Sequence, residues 1–88
     1  MYRYTILRVN GIVDQFESPK LSLEALQQQV GGRIELLARP QDYGIGIAGV
    51  VYINEDGKRL ELPVNTLCKI SSYGDFIVGN VLIEEKIK

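Results

Sequence analysis

A pair of strand-like runs that meet at a tight-turn sequence constrains this chain more than any other feature. The opening segment reads MYRYTILRVNGIVDQF, and its two runs rich in Tyr, Ile, Val and Phe meet at Asn10-Gly11. Asn-Gly tolerates positive φ at both central positions of a two-residue turn, so the segment predicts a β-hairpin. Its apolar residues fall on both faces, Tyr2, Tyr4 and Ile6 on one and Leu7 and Val9 on the other. We therefore expect both faces to be covered.

A short amphipathic helix is predicted after the hairpin, in SPKLSLEALQQQVGG. Ser22 suits the N-cap, and Gly31 stands where a left-handed C-cap residue is needed. The apolar residues of the predicted buried face recur at i, i+3 and i+7: Leu23, Leu26 and Val30. A start at Ser18, with Pro19 in the first helical position, is the alternative.

Four further strands are predicted. RIELLARP forms one, ended by Pro40, which restricts Arg39 to extended geometry. VVYINEDGKRLEL predicts a second hairpin that turns at Asp56-Gly57, with Leu60 and Leu62 on the return arm. DFIVGNVLIEEK carries apolar residues on both faces, which is typical of a central strand or of an interface.

These elements predict one α+β domain over residues 1–88. It contains a mostly antiparallel sheet of five or six strands, one main helix on one face and a short helical turn near Asn65, where a turn-rich connection is the alternative. A chain of 88 residues buries only about 60 to 65% of the surface that its unfolded form exposes. Stability is therefore expected to be marginal, and assembly into a homo-oligomer would bury further surface.

Charge and cysteine content exclude several classes of protein. Ten basic and eleven acidic side chains are interspersed, for a formal net charge of −1. Without a clustered basic face, nucleic acid is not an expected partner. No apolar run approaches the roughly 18 residues of a membrane span, so no membrane association is expected. The single cysteine, Cys68, and the lack of a signal-like segment predict a cytoplasmic protein.

The stretch YGIGIAGV contains the G-x-G-x-x-G pattern of dinucleotide-binding proteins, at Gly44, Gly46 and Gly49. In such proteins the glycines follow a strand and open a helix whose N-terminal amides hold the pyrophosphate. Here they lead into the strand-like VVYI, so we interpret them as a loop that lets a strand start beside a crowded backbone. The alternative is a nest of backbone amides for an anion.

Catalytic residues are not evident. The chain has no histidine, which removes the commonest general base and the usual nucleophile pairs and zinc sites. Cys68 alone is more often a small buried hydrophobe than a nucleophile. We predict a protein that is not an enzyme and has no metal site and no cofactor.

The glycine-rich loop and its surroundings supply the candidate binding residues. Tyr43 and Tyr73, each directly before a glycine, would stack on a base or anchor a protein partner. Packing in the core or at its rim is the alternative, and it is the favoured one. Arg39 beside Tyr43 would hold an anionic ligand or lie at the rim of a protein interface. The predicted ligand- or partner-binding residues are Arg39, Tyr43, Gly44, Gly46, Asn65 and Lys69.

Three blocks resemble the proteins grouped as domain of unknown function 3846: LEALQQQVGGRIELL, VVYINEDGKRLELPVNTLC and GDFIVGNVLI. The matching motifs are Gly31-Gly32, Glu55 to Lys58, Leu62 to Asn65 and Ile77 to Gly79. The resemblance implies an accessory protein of phages, plasmids or bacteria, with no established activity. The leading hypothesis is a non-enzymatic protein that binds and blocks a host factor, such as a defence component. The alternative is an oligomer that sequesters a small anionic, nucleotide-like signal with Arg39 and Tyr43.

Overall fold

An antiparallel sheet of five strands organises the chain, for which the computed structural model describes residues 1–46 and 49–88. The elements are β1 (Tyr2–Leu7), β2 (Val13–Ser18), α1 (Leu23–Val30), β3 (Ile34–Leu36), a 3-10 turn (Pro40–Tyr43), β4 (Val50–Asn54) and β5 (Val81–Lys86). The strand order is β2-β1-β5-β4-β3, and each neighbouring pair is antiparallel. The predicted α+β class is confirmed.

The N-terminal hairpin is present, but its turn differs from the predicted two-residue turn. The backbone N–H of Arg8 donates to the carbonyl of Ile12, and the N–H of Gly11 donates to the carbonyl of Arg8, both at 3.0 Å. Of the two predicted turn residues only Gly11 has positive φ, at 86°, while the Asn10 side chain accepts from the Ile12 N–H. The result is a three-residue loop that closes on a left-handed glycine.

Helix α1 has the predicted caps. Ser22 accepts from the backbone N–H of Ala25, and Gly31 is left-handed with φ of 81°, so the alternative start at Ser18 and Pro19 is wrong. The helix buries Leu26 and Val30, whereas Leu23 is 59% exposed, because a helix of two turns covers only a small part of the sheet. No helix among residues 1–46 and 49–88 is long and apolar enough to cross a bilayer.

The predicted second hairpin does not form. After Asn54 the chain enters consecutive turns instead of a return strand, and the N–H of Leu62 donates to the carbonyl of Gly57. The turns begin at Asn54, whose side chain accepts a hydrogen bond from the backbone N–H of Asp56. Leu60, predicted to lie on a strand, is 51% exposed in a turn. Strand β4 pairs with β3 and β5 instead.

The last strand occupies the centre of the sheet, as its two-sided apolar pattern predicted. It begins only at Val81, since Gly79 adopts a positive φ of 79° that interrupts the extended chain. The preceding residues run as a loop, with one isolated bridge between Val64 and Val78. The segment around Asn65 forms turns rather than a helical turn, as the alternative prediction had it. The short helical turn lies at Pro40–Tyr43 instead.

Two clusters of apolar side chains cover the two faces of the sheet. The helix face is the side that packs on α1, and its buried cluster consists of Tyr4, Ile6, Leu26, Val30, Tyr52 and Leu82. The loop face is the opposite side, and its buried cluster consists of Tyr43, Ile45, Val51, Ile77 and Val81. Loops rather than a second helix cover the loop face, which leaves room there for a cleft.

Candidate binding cleft

A cleft of about 350 Å³ lies on the loop face of the sheet. One wall is formed by β3 and the residues after it, 35–39. The other wall is formed by residues 75–78 and Tyr73. The rest of the lining consists of Tyr43, Ile53, Asn54, Glu55 and Lys58. Cross-strand neighbours lie on the same face of a sheet, so the pairing of Glu35 with Ile53 places both side chains towards the cleft.

Arg39 stands at the rim in a conformation that its sequence context did not predict. Its φ and ψ are 55° and 59°, in the left-handed region, so the expectation of extended geometry before Pro40 is wrong. The restriction before proline disfavours the right-handed helical region, and the reversal from β3 into the 3-10 turn selects the left-handed one. A non-glycine residue held there costs about 1–3 kcal/mol. The side chain is 73% exposed, and its Nε lies 3.1 Å from Asp42 Oδ2 without the alignment of a hydrogen bond.

Tyr43 is buried at the base of the cleft, so the alternative of core packing is correct and Tyr43 is not an exposed anchor. Its hydroxyl donates to Asp75 Oδ2 at 2.7 Å and lies 3.2 Å from the hydroxyl of Tyr73. Asp75 also accepts from the ammonium of Lys58 and from the backbone N–H of Phe76. A connected polar group therefore links the base of the cleft to its rim.

The pKa values of Asp75 and Tyr43 both lie far from neutral pH. The hydrogen bond from Lys58, and then that from Tyr43, lower the pKa of Asp75 to about 2. The hydrogen bonds with Tyr73 and with Asp75 raise the pKa of Tyr43 far above its ordinary value. Asp75 is thus an ionised acceptor and Tyr43 a protonated donor under physiological conditions, and neither suits proton transfer near pH 7.

Charges of both signs line the cleft: Glu35, Arg39, Glu55, Lys58 and Asp75. Both cations already contact carboxylates, Arg39 that of Asp42 and Lys58 that of Asp75. Glu55 Oε2 lies 3.6 Å from Arg33 Nε. Among the residues that the structure describes, Glu35 has no ion-pair partner. Three carboxylates and two engaged cations make the cleft a poor match for a small anion.

Exposed apolar side chains border the cleft. Tyr73 is 65% exposed and Phe76 is 39% exposed. The ammonium of Lys58 lies 4.9 Å from the ring centre of Phe76. Aromatic side chains that are exposed beside a concavity are typical of binding surfaces.

Asn65, a predicted binding residue, lies away from the cleft. It is 1% exposed, and its amide nitrogen donates to the carbonyls of Leu7 and Gly79 at 2.8 and 3.0 Å. Its side-chain oxygen accepts from the N–H of Leu67. The side chain joins the end of β1 to two loops, which is a structural role.

The other predicted residues pack around the back of Tyr43. The Lys69 N–H donates to the carbonyl of Tyr43 at 2.8 Å, and the stem of Lys69 covers Gly44, whose φ is 76°. Gly46 faces open space. Of the six predicted binding residues, only Arg39 and Tyr43 line the cleft. Sequence analysis missed Lys58 and Asp75 as cleft residues, because 17 positions separate them and neither belongs to a recognisable motif.

The glycine pattern does not form a dinucleotide site. The glycines lead into β4 rather than a helix, and a Cβ at Gly49 would stand 1.9 Å from the carbonyl oxygen of Glu84. The predicted role beside a crowded backbone is therefore confirmed at Gly49. Ile47 and Ala48, inside the pattern, lie outside the described residues.

Groups suited to catalysis or metal binding are sparse. In the described part of the chain no group of three His, Cys, Asp or Glu side chains is placed to hold a metal ion. Cys68 is half-buried, and burial raises the pKa of its thiol. A thiol with a raised pKa is a weak nucleophile at neutral pH.

The fold and the cleft define a small α+β domain, with a five-stranded antiparallel sheet and a mixed polar and aromatic cleft on its loop face. The chain belongs to the family described as Domain of unknown function (DUF3846), whose model matches residues 5–86. The resemblance seen in the sequence is thereby confirmed over nearly the whole chain. No curated protein and no solved structure shows a significant match.

Proposed function

We propose that this protein acts by binding an extended segment of a partner protein in the cleft, without catalysing a reaction. The observation that carries the proposal is the exposure of Tyr73 and Phe76 along an open concavity of about 350 Å³. Aromatic side chains are enriched in the energetically dominant part of protein interfaces. The volume lies at the lower end of the roughly 300–1,000 Å³ that is typical of binding pockets.

The polar groups of the cleft support binding better than catalysis. Asp75 is held ionised by Lys58 and Tyr43, and Tyr43 is held protonated. A general acid or base works best when its pKa lies near the working pH. These groups instead offer fixed hydrogen-bonding partners around the aromatic rim, which would orient a bound segment.

The proposed partner is a host factor. Membership of a family of unknown function, together with its resemblance to accessory proteins of phages, plasmids and bacteria, supports a host factor as the partner. Binding would then block that factor, for instance a component of host defence.

The alternative function is sequestration of a small anionic, nucleotide-like signal by an oligomer. The exposed guanidinium of Arg39 at the rim favours it, because arginine pairs well with phosphate. The three carboxylates that line the cleft count against it. Native mass spectrometry of the protein purified from a bacterial lysate distinguishes the two functions. An oligomer with a small anionic passenger supports sequestration, and a protein without a passenger supports the proposed function.

A matched pair of variants tests the proposed function. Phe76→Asp introduces a charge at the cleft, and Val13→Asp introduces the same charge at the exposed far edge of the sheet, where Val13 is 54% exposed. A photo-reactive phenylalanine analogue at position 73 is used to crosslink a bacterial lysate. We expect discrete crosslinked proteins that disappear with Phe76→Asp and persist with Val13→Asp. Crosslinks equally insensitive to both substitutions would refute the cleft as the binding site.

A further inference from the structure

The outer edge of β3 forms part of the same surface as the cleft. We infer that a partner segment adds to β3 as a sixth, extended strand and places a basic side chain opposite Glu35. This inference rests on the proposed function and deepens it, because it assigns both a binding mode and the charge of the partner. A strand added at an open sheet edge gains affinity from main-chain hydrogen bonds and specificity from alternate side chains.

The register of β3 leaves its outer edge open. The carbonyl of Arg33 accepts from the N–H of Glu55, and the N–H of Leu37 donates to the carbonyl of Val51. The backbone N–H and C=O groups of the odd-numbered residues in this segment therefore point towards β4. In an antiparallel pair this alternation directs the N–H and C=O of Ile34 and Leu36 away from β4. Because β3 is the last strand of the sheet, these groups have no neighbouring strand among the described residues.

Strand β2, at the opposite edge of the sheet, is less suited to strand addition than β3. Strand β2 carries the exposed polar side chains of Gln15 and Glu17, and Glu17 forms an ion pair with Arg3 on β1. Strand β3 instead carries Glu35, which lies at the cleft and has no ion-pair partner among the described residues. The edge at β3 is the better candidate for strand addition.

Glu35 determines the charge of the occupant. Its side chain lies at the cleft and has no ion-pair partner among the described residues. A residue placed opposite it on an added antiparallel strand forms a non-hydrogen-bonded pair, with Cα atoms about 4.5 Å apart. Opposite charges in such a pair are favourable and like charges are unfavourable. Lys or Arg at that position would therefore pair with Glu35.

A second copy of this chain fits the edge less well than a basic segment does. Self-pairing centred on Glu35 places two carboxylates opposite each other, which is unfavourable. Self-pairing centred on Ile34 places Arg33 opposite Glu35 of the second copy, but it sets Gly32 opposite Leu36. That register offers one apolar pair along a three-residue strand, whereas stable interfaces bury at least about 1,200 Å².

The probe for the experiment is a displayed library of random 12-residue peptides, selected on the immobilised full-length protein. We expect Lys or Arg to be enriched at one position, and Glu35→Lys to change that preference to Asp or Glu. With an enriched peptide, the backbone amides of Ile34 and Leu36 exchange with solvent at least about tenfold more slowly. Leu36→Pro removes the outward N–H and weakens binding about tenfold or more. Leu36→Ala keeps that N–H and weakens binding by less than about threefold.

The outcomes separate this inference from the proposed function. Peptides that bind in a Phe76-dependent manner without protecting the amides of Ile34 and Leu36 overturn strand addition and leave the cleft as the binding site. Failure to enrich any peptide overturns both. A dimer of the protein that is abolished by Leu36→Pro identifies a second copy as the occupant and overturns the assignment of a basic segment. Thermal unfolding of Leu36→Pro verifies that the variant is folded.

Discussion

The hydroxyl of Tyr4 donates a hydrogen bond of 2.7 Å to the carboxylate of Glu84, and both side chains are buried on the helix face of the sheet. Lys20 and Tyr52 donate to the other carboxylate oxygen at 2.9 and 3.1 Å. Burial alone raises the pKa of Glu84, but these three donors together outweigh burial, so the pKa is lowered. A charged group on the central strand is thus compensated by hydrogen bonds from β1, β4 and the segment before α1, which ties these parts together.

Tyr4→Phe is expected to lower the free energy of unfolding by about 1–3 kcal/mol, because it leaves a buried carboxylate with one donor fewer. It also removes the acceptor for the backbone N–H of Leu21, which donates to the Tyr4 hydroxyl at 2.8 Å. The control is Tyr2→Phe, at a half-buried tyrosine without a side-chain hydrogen bond among the described residues, and it should change stability by less than about 0.5 kcal/mol. Urea unfolding followed by circular dichroism provides both values. Equal effects of the two variants would show that the Tyr4 hydroxyl contributes nothing specific.

Acid is expected to destabilise the fold through Asp75. Its pKa is about 2 in the folded protein, below the ordinary value of 3.8. A carboxyl group whose pKa is lowered by folding contributes stability above its unfolded pKa, and this contribution is lost as the pH falls through the folded pKa. For this group the loss therefore falls between about pH 4 and pH 2.

The measurement is a series of urea unfolding curves from pH 6 to pH 2. Asp75→Asn should be less stable than the wild type at pH 6 and should approach it at pH 2. Glu61→Gln is the control, because Glu61 is an exposed carboxylate with no ion pair in the described part of the chain. A constant difference between wild type and Asp75→Asn at every pH would contradict the lowered pKa.

Gly49→Ala is expected to destabilise the protein by at least about 1–3 kcal/mol, because overpacking forces the surrounding chain to move. The added Cβ would lie 1.9 Å from the carbonyl oxygen of Glu84, on the backbone of the central strand. Gly46→Ala is the matched control in the same loop, since a Cβ there meets nothing within 4 Å. Thermal melting of the two variants tests this, and similar melting temperatures would show that the close approach at Gly49 has no energetic consequence.

Asn65→Ala is expected to lower stability by about 1–3 kcal/mol, because it leaves the buried carbonyls of Leu7 and Gly79 without their donor. Thr66→Ala, at the exposed neighbouring position, serves as the control. If Asn65 were a binding residue instead, its replacement would reduce peptide binding without lowering the melting temperature. Calorimetric unfolding together with a binding measurement on the enriched peptide separates these roles.

The cleft was predictable only where its lining residues are neighbours in sequence. Arg39 and Tyr43 were identified as a local pair, and both line the cleft. The partners of Tyr43 could not be identified, because Asp75 is 32 positions away and meets it only after the loops fold over the sheet. The sequence also left exposure open for two tyrosines: nothing in it distinguishes buried Tyr43 from exposed Tyr73, since both precede a glycine.

The sequence by itself determined the class of the fold, the caps of α1 at Ser22 and Gly31, and the central position of the last strand, because each depends on local backbone preferences or on apolar periodicity. Only the tertiary structure decided that β4 would pair with β3 and β5 rather than with a return arm through Leu60. That choice depends on competition between strand pairing and the turns that begin at Asn54. The tertiary structure also decided the cleft and the open edge of β3, because both arise from segments distant in sequence, whose contacts no local pattern encodes.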